Sequence, residues 1–173
     1  FLCFKNAQVD WAVYEVGLGG RLDATNILRP KLCCITPIEL EHSEFLGDTI
    51  EKVAAEKAGI IKKCTPVIVA KQQSESVKNI FKEKAKENYA PCYFIDELVN
   101  KIDYSFDSNS KSMSILLESP IFDRQIKTNL SLLGSKHAEN AAMAAVAIKK
   151  LFPNMDESVI EKGKLQGVIL GFG

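Results

Sequence analysis

The sequence of 173 residues lacks the features that would assign it to a membrane, repeat or nucleic-acid-binding class. It has no apolar run of membrane-spanning length and no internal repeat. The 22 basic and 22 acidic residues cancel, so we expect no nucleic-acid partner and no membrane surface. The hydrophobic content of 46% is sufficient for one core, which predicts a single domain over residues 1–173.

The five cysteines form neither a metal-binding motif nor a disulfide framework. Their number is odd, and no two of them have the C-x-x-C spacing. Cys33 and Cys34 are adjacent, so their side chains should point to opposite faces of a strand. We interpret all five as buried thiols in a reducing cytoplasm.

Two common nucleotide-binding motifs are also missing. The phosphate-binding loop G-x-x-x-x-G-K-[ST] does not occur, and the nearest candidate, at 134–136, lacks the first glycine and the loop length. The turn G-L-G-G-R-L at 17–22 is not the dinucleotide fingerprint, because Leu22 stands where a third glycine is required. A nicotinamide cofactor is therefore not expected.

The sequence does contain short apolar runs that alternate with amphipathic segments. Three of these runs predict buried strands, at 11–16, 32–38 and 66–70, and 91–95 predicts a short fourth strand. Pro37 must lie at the end of its strand, because proline cannot donate to a central ladder. Two alternating segments around a polar turn, 101–106 and 112–118, predict an antiparallel hairpin that 121–132 continues.

Helix signals stand between and after these runs. Asp48, followed three residues later by Glu51, has the capping-box spacing and predicts a helix that ends near Gly59. Further helices are predicted at 74–88, at about 136–152 and at 156–163, and the last residues, 168–173, are expected to form an interrupted strand or loop. The expected fold is α/β, a mainly parallel sheet flanked by helices with an antiparallel β-hairpin edge.

Candidate site residues lie where the first two predicted strands end, which is where parallel sheets bind ligands. Glu15 ends the first strand, and a carboxylate there is costly unless it pairs, for example with Arg21, or binds a metal. The glycines of 17–20 would let the backbone approach a ligand closely. His42 follows the second strand, although a loop histidine is more often solvated and hard cations prefer oxygen ligands.

Two predicted helices supply further candidates. Lys57 is either an ordinary surface charge, as Glu56 is, or a sheltered amine that can be neutral and nucleophilic. His137 and Asn140 open the last long helix on one face, at a position that can favour an anionic ligand. Capping and solvation explain the same pair equally well. These residues alone leave the alternatives open.

Two long motifs, taken together, resemble a known family. The segments E-V-G-L-G-G-R-L-D-A-T-N at 15–26 and E-H-S-E-F-L-G-D-T-I-E-K-V-A-A-E-K-A-G-I-I-K at 41–62 are similar to the central ATPase domain of folylpolyglutamate synthase/dihydrofolate synthase, within the Mur ligase superfamily. The segment L-L-G-S-K-H-A-E-N-A-A-M-A-A-V-A at 132–147 resembles the asparagine–alanine helix of that family. Residues 72–130 match only in general pattern.

The resemblance implies an ATP-dependent ligase. Such an enzyme activates a folate or dihydropteroate carboxylate as an acyl phosphate, which the amine of L-glutamate then attacks. The resemblance also implies that Glu15 and His42 bind Mg²⁺, that Asn140 contacts ATP and that Lys57 is carbamylated and helps to hold the metal. The pterin end of the substrate would contact Leu22, Asp23 and Ala24.

The sequence departs from the family pattern at two positions. Glu41 stands where an aspartate usually precedes the histidine, and Pro37 stands where an asparagine is usual. The phosphate-binding loop of the family and its glutamate-binding domain are not found within 1–173. A W-x-G-R-like segment is expected near 170–173, where the arginine is missing.

We therefore expect a partial ATPase domain that is catalytically incomplete by itself. It should be prone to self-association, whereas its parent is expected to be monomeric. Two alternatives stand beside the folate ligase. One is another Mur-type amide ligase, such as a peptidoglycan-precursor ligase, and the other is a non-catalytic remnant that binds a nucleotide or a partner.

Overall fold

A computed structural model describes residues 2–72, 74–109 and 111–163. The expectations for 168–173 lie outside these residues. The elements, in chain order, are α1 (Leu2–Asn6), a 3-10 helix (Ala24–Ile27), β1 (Cys33–Ile35), α2 (Ser43–Leu46), α3 (Ile50–Ala58), β2 (Val67–Val69), α4 (Glu75–Glu87), β3 (Cys92–Phe94), α5 (Ile95–Leu98), β4 (Lys101–Asp107), β5 (Ser112–Glu118), β6 (Ile126–Leu130), α6 (Ser135–Leu151) and α7 (Glu157–Lys162).

A parallel sheet of order β1-β2-β3 forms the centre of the molecule. Its register aligns Cys33 with Val67 and Val67 with Cys92. All three residues of β2 are buried, because helices cover both faces of the sheet. The side chains of β2 alternate between two cores. Val67 and Val69 pack in the core that contains α3 and α4, whereas Ile68 packs in the core that contains α6.

The predicted hairpin is confirmed, and β6 continues it as a third antiparallel strand. Along β5, Met113, Ile115 and Leu117 are buried and join the core that contains α6. The expected α/β fold is therefore confirmed, with the antiparallel strands forming a sheet of their own. The third strand begins at Ile126 and not at residue 121, because the chain turns at Ser119–Phe122.

The helices follow their sequence signals closely, with one correction. Asp48 was predicted to cap α3, but the cap is Thr49, whose hydroxyl accepts the backbone N–H of Lys52 at 3.3 Å. The Asp48 carboxylate forms an ion pair with the Lys52 ammonium instead, at 2.7 Å. The helix α3 ends before Gly59, as predicted. None of the helices in the described ranges is long and apolar enough to cross a membrane.

The strand predicted at 11–16 is wrong. This segment has no regular secondary structure, and 95% of Val13 is exposed. Trp11 is also exposed, and its ring contacts the ring of Phe152 edge to face, with centroids 5.1 Å apart. A strand needs a neighbouring strand for its backbone hydrogen bonds, and in the described part of the chain no strand pairs with 11–16.

The prediction that all five cysteines are buried is also wrong. Only Cys33 is buried, because it faces the core from β1, while Cys34 faces the other side of that strand and is exposed, as are Cys3 and Cys64.

A buried ion pair joins α6 to α7. The Lys149 ammonium donates to the Glu157 carboxylate at 2.8 Å and to the Met155 carbonyl oxygen at 3.1 Å. The hydrogen bond from Lys149 lowers the pKa of Glu157 below its usual value. The pair therefore stabilises the fold above the usual glutamate pKa, and this contribution is lost as the pH falls through the lowered value.

Phe81 on α4 has 0% exposure and fills the core beneath the parallel sheet. We predict that Phe81→Ala lowers the free energy of unfolding by about 3–5 kcal/mol, because it leaves a cavity in a close-packed core. Phe106→Ala is the matched control, because Phe106 on β4 is 55% exposed. Urea denaturation measures both variants, and equal losses would contradict the assignment of this core.

Candidate functional site

A cavity of about 550 Å³ opens where β1 and β2 end. The segments after the two strands contribute Thr36 and Lys71 to its wall, α3 contributes Lys57, and α6 contributes Ser135 and Asn140. Ligand sites in parallel sheets lie at this edge. The cavity therefore brings together Lys57 and Asn140, which were predicted from motifs far apart in the sequence.

The start of α6 faces this cavity with an uncapped end. Its N-cap residue is Gly134, which has no side chain to accept the first backbone N–H groups. Such unpaired donors, together with the helix dipole, favour an anionic ligand. The Lys136 ammonium adds positive charge here and forms an ion pair with Glu39 at 2.9 Å. The hydrogen bond to Glu39 raises the pKa of Lys136.

Gln72 fixes the wall of the cavity between the two strands. It is almost fully buried, and its side-chain carbonyl oxygen accepts the backbone N–H of Ile38 at 3.1 Å. Its side-chain amide donates to the Ala70 carbonyl oxygen at 2.8 Å. The loop after β1 is thereby tied to the end of β2. Sequence analysis missed Gln72, because its role depends on pairing between distant segments.

Glu15 and His42 do not line the cavity that contains Lys57 and Asn140. Glu15 is exposed in the irregular segment at 11–16, and its suggested partner Arg21 pairs with Glu56 instead. His42 is exposed and precedes α2 with a φ of 51°. Within the described ranges, no group of three or more histidine, cysteine or acidic side chains is arranged to hold a metal. Shared metal binding by Glu15 and His42 therefore stays a prediction.

The donor set of the cavity nevertheless suits magnesium. Glu39 and Glu41 lie in its wall with Lys57 and Asn140. Magnesium prefers oxygen ligands and is commonly held by one or two carboxylates together with substrate phosphates. A closed cluster of three protein ligands is therefore not required for this metal.

Within the glycine turn at 17–20, Gly20 packs against α3, while Gly19 and Gly20 also line a small cavity. The expected close approach of this turn to a ligand stays a prediction. A methyl group built on Gly20 would lie 2.8 Å from the Glu56 carbonyl oxygen and 3.0 Å from that of Lys57. A methyl group built on Gly59 would lie 2.6 Å from the Cα atom of Arg21. Glycine is needed on both sides because the two backbones touch.

Asp23 closes the loop that follows this turn. One carboxylate oxygen accepts the backbone N–H groups of Gly17 and Leu18, both at 3.1 Å. The other accepts the backbone N–H of Thr25 at 2.8 Å and also its hydroxyl. The hydrogen bond from the Thr25 hydroxyl is the main cause of a lowered pKa of Asp23. An aspartate followed two residues later by threonine is a turn signal that could have indicated this role.

A second cavity, of about 340 Å³ and so the smaller cavity of the two, lies beside this loop. Leu22, Asp23 and Ala24 line it together with Phe45 from α2. The Leu22 side chain is 80% exposed. The structure thus brings the three predicted substrate-binding residues to one surface, and Leu22 leaves its apolar side chain free for contact.

The family model of the Mur ligase middle domain matches residues 1–148. This chain belongs to the Mur ligase family. A dihydrofolate synthase/folylpolyglutamate synthase of Bacillus subtilis is 34% identical to this Mur ligase chain over 144 residues, which are 83% of this chain and 33% of the relative. A dihydrofolate synthetase of Saccharomyces cerevisiae is 41% identical over 125 residues, which are 70% of this chain and 29% of the relative. The chain spans about a third of the length of these relatives.

Solved structures extend this likeness to the fold of the Mur ligase domain. The apo form of L. casei FPGS has a TM-score of 0.80 and 28% identity, and the match covers 93% of this chain and 39% of that chain. An FPGS–AMPPCP–folate complex has a TM-score of 0.81 and 28% identity, with the same coverage of 93% and 39%. At this identity and coverage, the likeness supports a common architecture for nearly the whole chain.

The hydrogen bond from the Thr25 hydroxyl to Asp23 should make the stability of the loop depend on pH. Because the pKa of Asp23 is lowered, the closed loop is stabilised above the ordinary aspartate value of 3.8 and is lost as the pH falls through the lowered value. We predict that Thr25→Val raises the pKa of Asp23, whereas Thr25→Ser, which keeps the hydroxyl, does not. Carbon-13 NMR titration of the Asp23 carboxyl group measures this difference. Equal pKa values of Asp23 in Thr25→Val and Thr25→Ser would contradict the role assigned to this hydrogen bond.

Proposed function

We propose that this Mur ligase domain is part of an ATP-dependent ligase that joins L-glutamate to a folate or dihydropteroate carboxylate. The observation that carries the proposal is the shared cavity of Lys57 and Asn140 at the ends of β1 and β2. The names of the relatives from Bacillus subtilis and Saccharomyces cerevisiae support the same reaction class. So does the FPGS complex that contains both AMPPCP and folate.

The proposed reaction has two steps. The γ-phosphoryl group of ATP passes to the substrate carboxylate, which gives ADP and an acyl phosphate. The amine of glutamate then attacks the acyl carbon, phosphate leaves, and an amide remains. Negative charge develops on the phosphoryl oxygens in the first step, and the cationic side chain of Lys71 in the cavity wall would offset part of it.

Asn140 and the uncapped start of α6 would bind the nucleotide. Lys57 would carry a carbamate, formed when its neutral amine takes up carbon dioxide and releases a proton, and this group would supply a carboxylate beside the phosphates. We retain Glu15 and His42 as the residues that would hold magnesium, although neither lines the cavity. When bound, the ion would supply Lewis-acid charge that offsets the charge on the phosphates. The Glu41 carboxylate in the cavity wall offers a further oxygen ligand.

Leu22, Asp23 and Ala24 would form the contact with the pterin end of the substrate. The exposed Leu22 side chain offers an apolar surface for the ring. The Asp23 carboxylate is used by hydrogen bonds within the loop, so its contribution would be to shape that surface. The intact motif at 15–26 favours a folate ligase over a peptidoglycan-precursor ligase.

We further propose a cytoplasmic location, which the five free cysteines support. The parent would be a monomer, whereas the 173-residue chain would self-associate through exposed apolar side chains such as Trp11 and Val13. A non-catalytic remnant is the competing hypothesis, and it differs from the ligase in lacking turnover.

Replacement of Lys57 tests the proposal directly. In a full-length ligase that carries this sequence, Lys57→Ala should lower kcat by about 1,000-fold or more, because a metal-supporting carboxylate is lost. Lys52→Ala is the matched control on the same helix, since Lys52 is exposed and pairs only with Asp48 among the described ion pairs. Steady-state assays of amide formation measure both. Full activity of Lys57→Ala would refute the assignment.

The 173-residue chain alone should neither hydrolyse ATP nor ligate glutamate. Tight phosphate binding requires backbone donors and a lysine from a glycine loop, and the sequence contains no such motif. Isothermal titration with ATP and magnesium should therefore detect at most weak binding. Tight, magnesium-dependent binding would show that the nucleotide site has been misplaced.

A further inference from the structure

Arg21 makes three hydrogen bonds to one residue, Glu56, near the end of α3. Its backbone N–H donates to the Glu56 carbonyl oxygen at 2.9 Å. Its guanidinium donates to one oxygen of the Glu56 carboxylate through Nε at 3.1 Å and through a terminal nitrogen at 2.9 Å. Charge-assisted contacts of this kind, with two donors from a planar guanidinium, restrict geometry strongly.

A second residue of the loop continues this contact to the end of the helix. The side-chain amide of Asn26 donates to the Arg21 carbonyl oxygen at 2.8 Å and to the Gly59 carbonyl oxygen at 3.3 Å. The Lys62 ammonium in turn donates to the backbone carbonyl oxygen of Asn26 at 2.7 Å. The loop at 21–26 is therefore hydrogen-bonded to the end of α3 and to the residues that follow it, from Glu56 to Lys62.

Lys57 lies within the segment 56–62 that the loop contacts. It directly follows Glu56, and its carbonyl oxygen accepts the backbone N–H of Ile60 at 3.3 Å. The close approach of Gly20 to the carbonyl oxygens of Glu56 and Lys57 falls on the same turn. Contacts with the loop thus fix the backbone position from which the Lys57 side chain leaves the helix.

The ion pair adds little to stability. The Arg21 side chain is 57% exposed and that of Glu56 is 27% exposed. Ion pairs between exposed side chains contribute little to the free energy of folding, because water screens them. A pair that restricts one helical turn without adding much stability fits a role in positioning better than a role in folding.

We propose that Arg21, through its ion pair with Glu56, is a positioning residue for Lys57. The proposal rests on the proposed function of Lys57. The loop that forms the wall of the smaller cavity thereby holds the lysine of the larger one at its working position. The pair also links the surface proposed for the pterin ring to the surface proposed for the nucleotide.

The test uses a full-length ligase that carries this sequence. We predict that Arg21→Gln and Glu56→Gln each lower kcat by about 10-fold or more, because small displacements of a catalytic group are costly, while KM changes less than about twofold. The charge-swapped double variant, Arg21→Glu with Glu56→Arg, should recover most of the lost kcat. Asp48→Asn is the matched control, because it removes an ion pair of α3 that does not touch the loop.

A structural readout accompanies the kinetics. Hydrogen exchange followed by mass spectrometry should show about 10-fold faster exchange in peptides that cover 56–61 for both single variants, and a thermal midpoint close to that of the parent. The swap should reverse the faster exchange. Unchanged exchange at 56–61, or a loss of kcat that the swap does not repair, would overturn the inference.

Two patterns separate this inference from the proposed function. If Lys57→Ala is inactive while both single variants of the pair keep full kcat, only the positioning role fails. If Lys57→Ala keeps full activity, the proposed function itself fails. A defect confined to Arg21→Gln, with Glu56→Gln unaffected, would mean that Arg21 contacts a ligand directly, and it would also overturn the positioning role.

Discussion

The contact between the glycine turn and the last turn of α3 is the constraint on which both cavities depend. No side chain fits between these backbones, since a methyl group on Gly20 would lie 2.8 Å from the Glu56 carbonyl oxygen. The turn continues into the loop that forms the wall of the smaller cavity, and α3 carries Lys57 into the larger one. The distance between the two cavities is therefore set by backbone packing and not by flexible side chains.

The parallel sheet supplies the other half of the arrangement. Its central strand is buried on both faces, so its two cores hold α3 on one side and α6 on the other. Both helices reach the same edge of the sheet, where Gln72 ties the loop after β1 to the end of β2. Such an edge gathers side chains from distant parts of a chain, which is how Lys57 and Asn140 come to line one cavity.

Local signals were sufficient to predict most elements of this fold. The stop of α3 at Gly59, the amphipathic helix predicted at 74–88 and the hairpin at 101–118 are encoded within a few residues, and the structure agrees with them. The cap of α3 was displaced by one residue, because both Asp48 and Thr49 can cap and only one can also pair with Lys52.

What the sequence could not predict depends on contacts between distant segments. The run at 11–16 has the composition of a strand, but composition does not supply the neighbour that a strand requires. The glycines at 17–20 suggested an approach to a ligand, but nothing in the sequence indicated that Gly20 also packs against a helix more than 30 residues further along the chain. Gln72 and Glu56 gave no signal at all, because ordinary polar residues acquire such roles only through tertiary packing.

We propose that the cavity between α3 and α6 binds the nucleotide. A crystal structure of a full-length ligase that carries this sequence, with AMPPCP and magnesium bound, tests it most directly. We expect the phosphates to lie in the cavity between Lys57 and Asn140, with the metal on the Lys57 side. Phosphates bound outside this cavity, with Lys57 and Asn140 contacting neither nucleotide nor metal, would contradict it.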